Sequence, residues 1–173
     1  MFKSLKPVQQ VAALPFALRD GSFEVLLVTS RRKRESHEDG SRWILPKGWP
    51  KGRETLADSA MREAQEEAGV TGAIHPMPVG EYRYSKAMRA GYSVDAHVFV
   101  FALHVHEVRD KWRERKKRDR RWLTLDEAAE TVGDGDAARL LTRLSARGGE
   151  TLHTILAEME TGCGDTPAPG PAV

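Results

Sequence analysis

The chain has 173 residues, of which 40% are hydrophobic and 30% charged. That balance excludes a disordered or low-complexity chain, and no apolar run approaches the ~20 residues a membrane helix needs. The one cysteine, Cys163, excludes an intramolecular disulfide and a cysteine-built zinc site, so a reducing, cytoplasmic setting is expected. In chain order, Pro7 to Leu18 and Phe23 to Thr29 are apolar, β-favouring runs joined by Asp20-Gly21, a hairpin-type turn signal. Arg31 to Ser41 reads as a polar loop, Arg42 to Leu45 as a short strand ended by Pro46, and Lys47 to Arg53 as a glycine-bearing loop.

The period then changes. Leu56 to Ala68 is rich in good helix formers, with Thr55 and Asp58 spaced as a capping pair and Gly69 as the stop. Ile74 to Tyr84 and Tyr92 to Val108 read as strands around a turn at Ala90-Gly91, and Arg121 to Leu123 as a short strand. Asp126 to Val132, Asp136 to Arg147 and Glu150 to Glu160 read as helices. Residues 1–161 are expected to form one domain, and the Gly/Pro/Ala-rich residues 162–173 a disordered tail. Strands, a helix, strands and further helices fit a sheet flanked by helices.

Charge is concentrated. Arg31 to Arg34 form one basic block, and Arg109 to Arg121 hold nine Lys/Arg against three acids. The rest carries 22 acidic and 14 basic residues, a net of −8. Concentrated cation suits an anionic partner, such as polyphosphate, nucleotide or nucleic acid; a solvated basic face is the competing reading.

The predicted helix carries the chemistry. At ~100° per residue, Glu63, Glu66 and Glu67 fall within roughly 100° of arc, while Ala57, Met61, Ala64 and Ala68 form a separate face that can pack closely on a sheet. Carboxylates at i, i+4 repel. A hard divalent cation removes that repulsion, and Mg²⁺ characteristically takes one or two carboxylates together with substrate phosphate oxygens. A bare acidic face also occurs on ordinary solvated helices. Among the other residues, His104 and His106 share metal-ligand spacing without a third ligand, and Trp49 and Trp112 suit either packing or stacking on a base.

The spacing goes further. Gly48, Glu54, Arg62, Glu63, Glu66, Glu67 and Gly69, with Ala64 and Val70 in the apolar slots, follow the pattern Gly, five residues, Glu, seven residues, Arg-Glu-apolar-x-Glu-Glu-x-Gly-apolar. At ordinary residue usage such a match arises by chance roughly once in 10⁸ windows. The chain resembles the Nudix hydrolases. That resemblance implies an α/β/α sandwich around a central mixed sheet, and Mg²⁺- or Mn²⁺-dependent hydrolysis of a pyrophosphate bond. It further implies metal ligation by Glu63 and Glu67, with Glu66 as ligand or catalytic base and the Lys47 carbonyl as a further ligand. Arg62 and Glu54 would hold the loop of Gly48 against the helix.

Outside this pattern, Gln9 to Ala13, Glu24 to Ser30, Arg42 to Gly48 and Arg118 to Ala128 are similar to the branch acting on diphosphoinositol and diadenosine polyphosphates. This implies phosphate contacts from Arg31, Arg32, Arg115, Lys116, Lys117 and Arg118. Gln10 stands where that branch tends to carry an arginine. Glu114 lies where many relatives place an extra acidic ligand or base. RNA 5′ ends and nucleoside triphosphates are alternative substrates of the same chemistry, and a non-catalytic nucleic-acid-binding regulator is a further alternative. No membrane partner is expected, and the oligomeric state is open.

Overall fold

The structure is a computed structural model that describes residues 6–31 and 42–162. Arg32 to Ser41, most of the expected polar loop, and the tail from Cys163 onward lie outside the described residues. Strand β1 (Val8–Arg19) is central. Its alternation sends Ala12, Leu14 and Phe16 to one apolar cluster and Val11 and Ala13 to another, so both faces are covered. At Asp20-Gly21 both residues have positive φ, 49° and 78°, and the chain returns antiparallel as β2 (Ser22–Thr29). This is the primed hairpin turn that an Asp-Gly pair favours.

Strands β3 (Trp43–Ile44) and β4 (Lys47–Gly48) precede helix α1 (Leu56–Ala68). Next come β5 (Val70–Ile74), β6 (Gly80–Ala87), β7 (Ser93–Val108) and β8 (Arg120–Thr124), then α2 (Leu125–Thr131) and α3 (Gly135–Gly162). The sheet runs β3-β2-β1-β7-β5, with β4 on β1, β6 on β7 and β8 on β2. The β1–β7 pair is parallel and the other pairs are antiparallel, so the sheet is mixed. Alanines of α1 cover one face; Leu140, Leu141, Leu144 and Leu152 of α3 help cover the other. This is the α/β/α sandwich.

Two elements differ from the sequence reading. Of the expected strand Ile74 to Tyr84, only Ile74 and residues 80–84 are extended in the sheet: residues 75–79 are not strand, β5 lies mostly before the expected start, and β6 runs on to Ala87. Pro76 and Pro78 lack the N–H a ladder needs, and the 16-residue β7 hosts both pieces, β6 on its first half and β5 on its second. Lys47 and Gly48, expected in a loop, form β4 against Ala12 and Val11. The helix ends follow the sequence closely. The Thr55 hydroxyl accepts from the Asp58 N–H, and Gly69 closes α1 at φ 66°. Thr124 and Glu127 complete a capping box on α2. Residues Ala146–Gly149 break α3 where the expected helices part.

Candidate active site

The small face of α1 brings the helix close to the sheet. Ala57, Ala60, Ala64 and Ala68 are buried there, which turns Glu63 and Glu67 toward β4. Both acids are buried, 9% and 6% exposed. Gly48 lies directly beneath Glu63: a Cβ at this position would stand within 2.5 Å of all three carboxyl atoms. The Lys47 N–H donates to Glu67 Oε2 at 3.1 Å. Strand β4 is thus held between β1 and the acidic face of α1.

Arg62 fastens the intervening loop. Its guanidinium donates to Glu54 Oε2 at 3.1 Å, to Glu63 Oε1 at 2.6 Å and to the Trp49 carbonyl at 3.0 Å. Ser59 Oγ also donates to Glu54, at 2.8 Å, and accepts from the Lys51 N–H. The Ser59 and Arg62 hydrogen bonds hold the Glu54 carboxyl below its ordinary range.

The three carboxylates do not share one surroundings. Glu63 pairs with Arg62, and Glu67 with Arg118. Glu66 lies outside the cleft lining, 2.8 Å from Arg113 and 3.9 Å from Arg62. Burial pushes Glu67 up to about 7, opposed by Arg118 and the Lys47 N–H and reinforced by Glu63. Among the described residues no three His, Cys, Asp or Glu side chains are gathered as a metal-ligand group. The donor set nevertheless fits Mg²⁺ or Mn²⁺. Two buried carboxylates beside the Lys47–Gly48 backbone offer oxygen, and among the described residues neither cysteine nor histidine lines the cleft.

The cleft beside this face has a volume of about 800 Å³. Arg31, Lys47, Lys51, Lys86 and Arg118 line it, with Tyr82 and Tyr84. Tyr84 donates its hydroxyl to the buried Gln10 amide. The Lys47 ammonium lies 4.9 Å from the Tyr84 ring, and desolvation lowers it to about 8 against the pull of Glu67. Trp49 is exposed at the cleft, with the Lys86 ammonium 5.5 Å from its ring.

The basic stretch separates into two groups. Arg115, Lys116 and Lys117 lie on an exposed turn and do not line the cleft. Arg118 is only 8% exposed and belongs to an internal network. It donates to Glu114 Oε2 at 2.6 Å and to the Thr29 carbonyl at 2.7 Å, and it pairs with Glu67. Its guanidinium is therefore held by internal partners at the wall of the cleft rather than solvated on an open basic face. Arg31 joins the same network through Glu114. Arg32 lies outside the described residues.

Sequence reasoning missed how residues 112–120 brace the site. Trp112 donates its Nε1–H to the Glu67 carbonyl at 3.0 Å and lies under the Arg120 guanidinium, 4.0 Å from its ring. It serves packing rather than base stacking. Gly69 has to be glycine twice over, for its positive φ and because a Cβ would meet Trp112 at 2.7 Å. The Trp-to-helix contact spans 45 positions, and no local pattern announces it. His104 and His106 contact each other at 3.3 Å, and His104 stacks on Phe16.

A NUDIX domain family model matches residues 8–144. The chain belongs to the Nudix family. Among curated proteins it is 37% identical over 110 residues to Nudix hydrolase 12, mitochondrial, of Arabidopsis thaliana, covering 62% of this chain and 51% of that protein. It is 31% identical over 112 residues to diphosphoinositol polyphosphate phosphohydrolase 3-alpha of Mus musculus, covering 63% of this chain and 60% of that protein. The matched region thus spans about half the length of the first of these relatives. Among solved structures, a C. elegans Ap4A hydrolase binary complex superposes with a TM-score of 0.57 at 20% identity, over 80% of this chain and 96% of that one. At that identity the likeness shows the fold. No helix among the described residues is long and apolar enough to cross a membrane.

Proposed function

We propose that this chain is a Mg²⁺- or Mn²⁺-dependent Nudix hydrolase that cleaves a pyrophosphate bond in a nucleotide or inositol polyphosphate, of the diadenosine or diphosphoinositol polyphosphate type. One observation carries the reading: Glu63 and Glu67 are buried at the wall of a cation-lined cleft, against a glycine with no room for a side chain. Relatives named for diphosphoinositol polyphosphate and Ap4A support the substrate class.

Glu63, Glu67 and the Lys47 carbonyl would hold the metal, with Glu66 as further ligand or base. A bound divalent ion supplies charge stabilisation at phosphorus and an acidified water. The protein's own part is positional. Arg62 and Glu54 fix the loop so that Gly48 stays beneath Glu63. The cations of the cleft offset the charge of a phosphate chain. For Glu66 to act as base, its carboxylate has to exchange Arg113 for the reacting water, since a base must reach the proton within about 2.6–3.2 Å. Residues 1–161 would act as one catalytic unit. A cytoplasmic setting follows from the single cysteine, with an organelle as the alternative because several relatives are named mitochondrial.

The test is a product-release screen with Mg²⁺ and Mn²⁺ after exhaustive chelation. The panel contains dinucleoside polyphosphates, diphosphoinositol polyphosphates, nucleoside triphosphates and 5′-triphosphorylated RNA. Metal-dependent turnover of the first two classes is expected. Full activity after chelation, or no turnover of any compound, overturns the reading.

A further inference from the structure

Glu114 is 2% exposed, the most deeply buried acidic residue among those described. Its own N–H is tied to the Glu66 carbonyl at 3.1 Å, which sets the turn of residues 113–117 against α1. Its carboxylate is occupied on both oxygens. Oε2 accepts from Arg31 Nε at 3.1 Å and from Arg118 Nε at 2.6 Å, and Oε1 pairs with the Arg31 Nη2 group. Glu114 itself does not line the cleft, but both arginines do. The Arg31 side chain stays 56% exposed.

An acid in that position has no access to an attacking water. It does have a strong hold on two guanidiniums. Two cations side by side repel, and a shared, buried carboxylate offsets the repulsion through charge-assisted hydrogen bonds. We propose that Glu114 is a positioning residue, not an acid–base group: it clamps Arg31 and Arg118 next to each other as a two-arginine grip for a phosphate chain. The proposal rests on the polyphosphate reading above. A grip of this kind favours ligands with enough phosphates to meet both arginines.

The test compares inorganic pyrophosphate with linear tripolyphosphate by calorimetric titration of the metal-free protein. Wild type is expected to bind tripolyphosphate about tenfold more tightly, since fixed guanidinium pairs add charge-assisted contacts. Glu114→Gln removes a negative charge, which by itself strengthens binding of both anions. Loss of the anchor abolishes the preference between them, so the ratio of the two dissociation constants is the readout. That ratio is expected to fall to about one to three, the loss of one preorganised contact. An unchanged ratio overturns the clamp. Should Glu114→Gln fail to fold, Glu114→Asp carries the same test, because it keeps the charge but shortens the reach to both guanidiniums; there too a collapsed ratio supports the clamp and an unchanged one refutes it.

A second measurement separates positioning from acid–base chemistry. With diadenosine tetraphosphate, Glu114→Gln is expected to raise KM while kcat and both limbs of its pH profile persist. A drop in kcat of about 10²-fold with one limb lost would make Glu114 an acid–base group and refute the proposal. Absence of turnover in wild type would count against the hydrolase reading, while the binding ratio would still decide on the clamp.

Discussion

Gly48→Ala separates function from folding at this site. Gly48 sits in a β-strand and does not have a positive φ, so alanine fits the backbone. Loss of unfolded-state freedom even favours alanine by about 0.4–1 kcal/mol. The new Cβ, however, would stand within 2.5 Å of the Glu63 carboxyl atoms, where ordinary contact is about 3.5–4.0 Å. Because the obstacle is the far end of a flexible side chain, the clash resolves by moving the carboxylate on the order of 1 Å, with little cost to the core. That same shift strains the 2.6 Å bond from Arg62 and removes Glu63 from its place beside the Gly48 backbone. A misplacement of about 1 Å at a reacting centre costs roughly 10²-fold, or about 2.7 kcal/mol of transition-state stabilisation. The expected result is therefore a Tm within a few degrees of wild type, weaker Mn²⁺ binding by paramagnetic resonance, and kcat/KM on a responsive polyphosphate lower by about 10²-fold. Activity within threefold of wild type, with unchanged Mn²⁺ affinity, would refute the reasoning.

Arg118→Met should destabilise the fold by about 3–5 kcal/mol, because it leaves Glu67 and Glu114 with a buried partner removed; urea unfolding measures it. Gly69→Ala should cost about 1–2 kcal/mol for the left-handed backbone alone, more with the Trp112 clash, and the same unfolding experiment checks it. His104 is held below the ordinary 6.5 by burial and then by His106, with Glu160 opposing. The unfolded chain therefore takes up the proton first as pH falls, so this contribution to stability is present above pH 6.5 and is lost as pH drops through that value toward the folded one. Urea midpoints of His104→Gln should accordingly fall less between pH 7 and pH 5 than those of wild type.

What could be read from the chain was what lies close together along it. Helical angle put Glu63 and Glu67 on one face, and the resemblance to the Nudix pattern added Arg62 and Glu54; all four belong to one helix and the loop before it, so no view of the sheet was needed. The alternation of β1 and the Asp20-Gly21 turn were equally local. Strand β4 escaped because two residues show no period; it exists because β1 offers it a partner at Val11 and Ala12. Pro76 and Pro78 were the local sign of the break between β5 and β6, and the reading of Ile74 to Tyr84 as one strand ran across it.

The basic stretch shows the limit of a linear reading most clearly. Along the chain, Arg115, Lys116, Lys117 and Arg118 are equivalent cations. In the fold they divide, because the turn is fastened at Glu114 N–H to the Glu66 carbonyl and only Arg118 then points inward. Its partners lie 89 positions away at Thr29 and 51 away at Glu67, distances at which no spacing rule applies. One local sign was present: Glu114 precedes Arg118 by four residues, the separation at which two side chains on a tight helical turn meet. An acid inside a cationic run reads as a surface pair when exposure is assumed. Once burial is known, the same pair becomes the joint between the acidic face and the arginines at the cleft, so the charge run acts through its arrangement rather than its total.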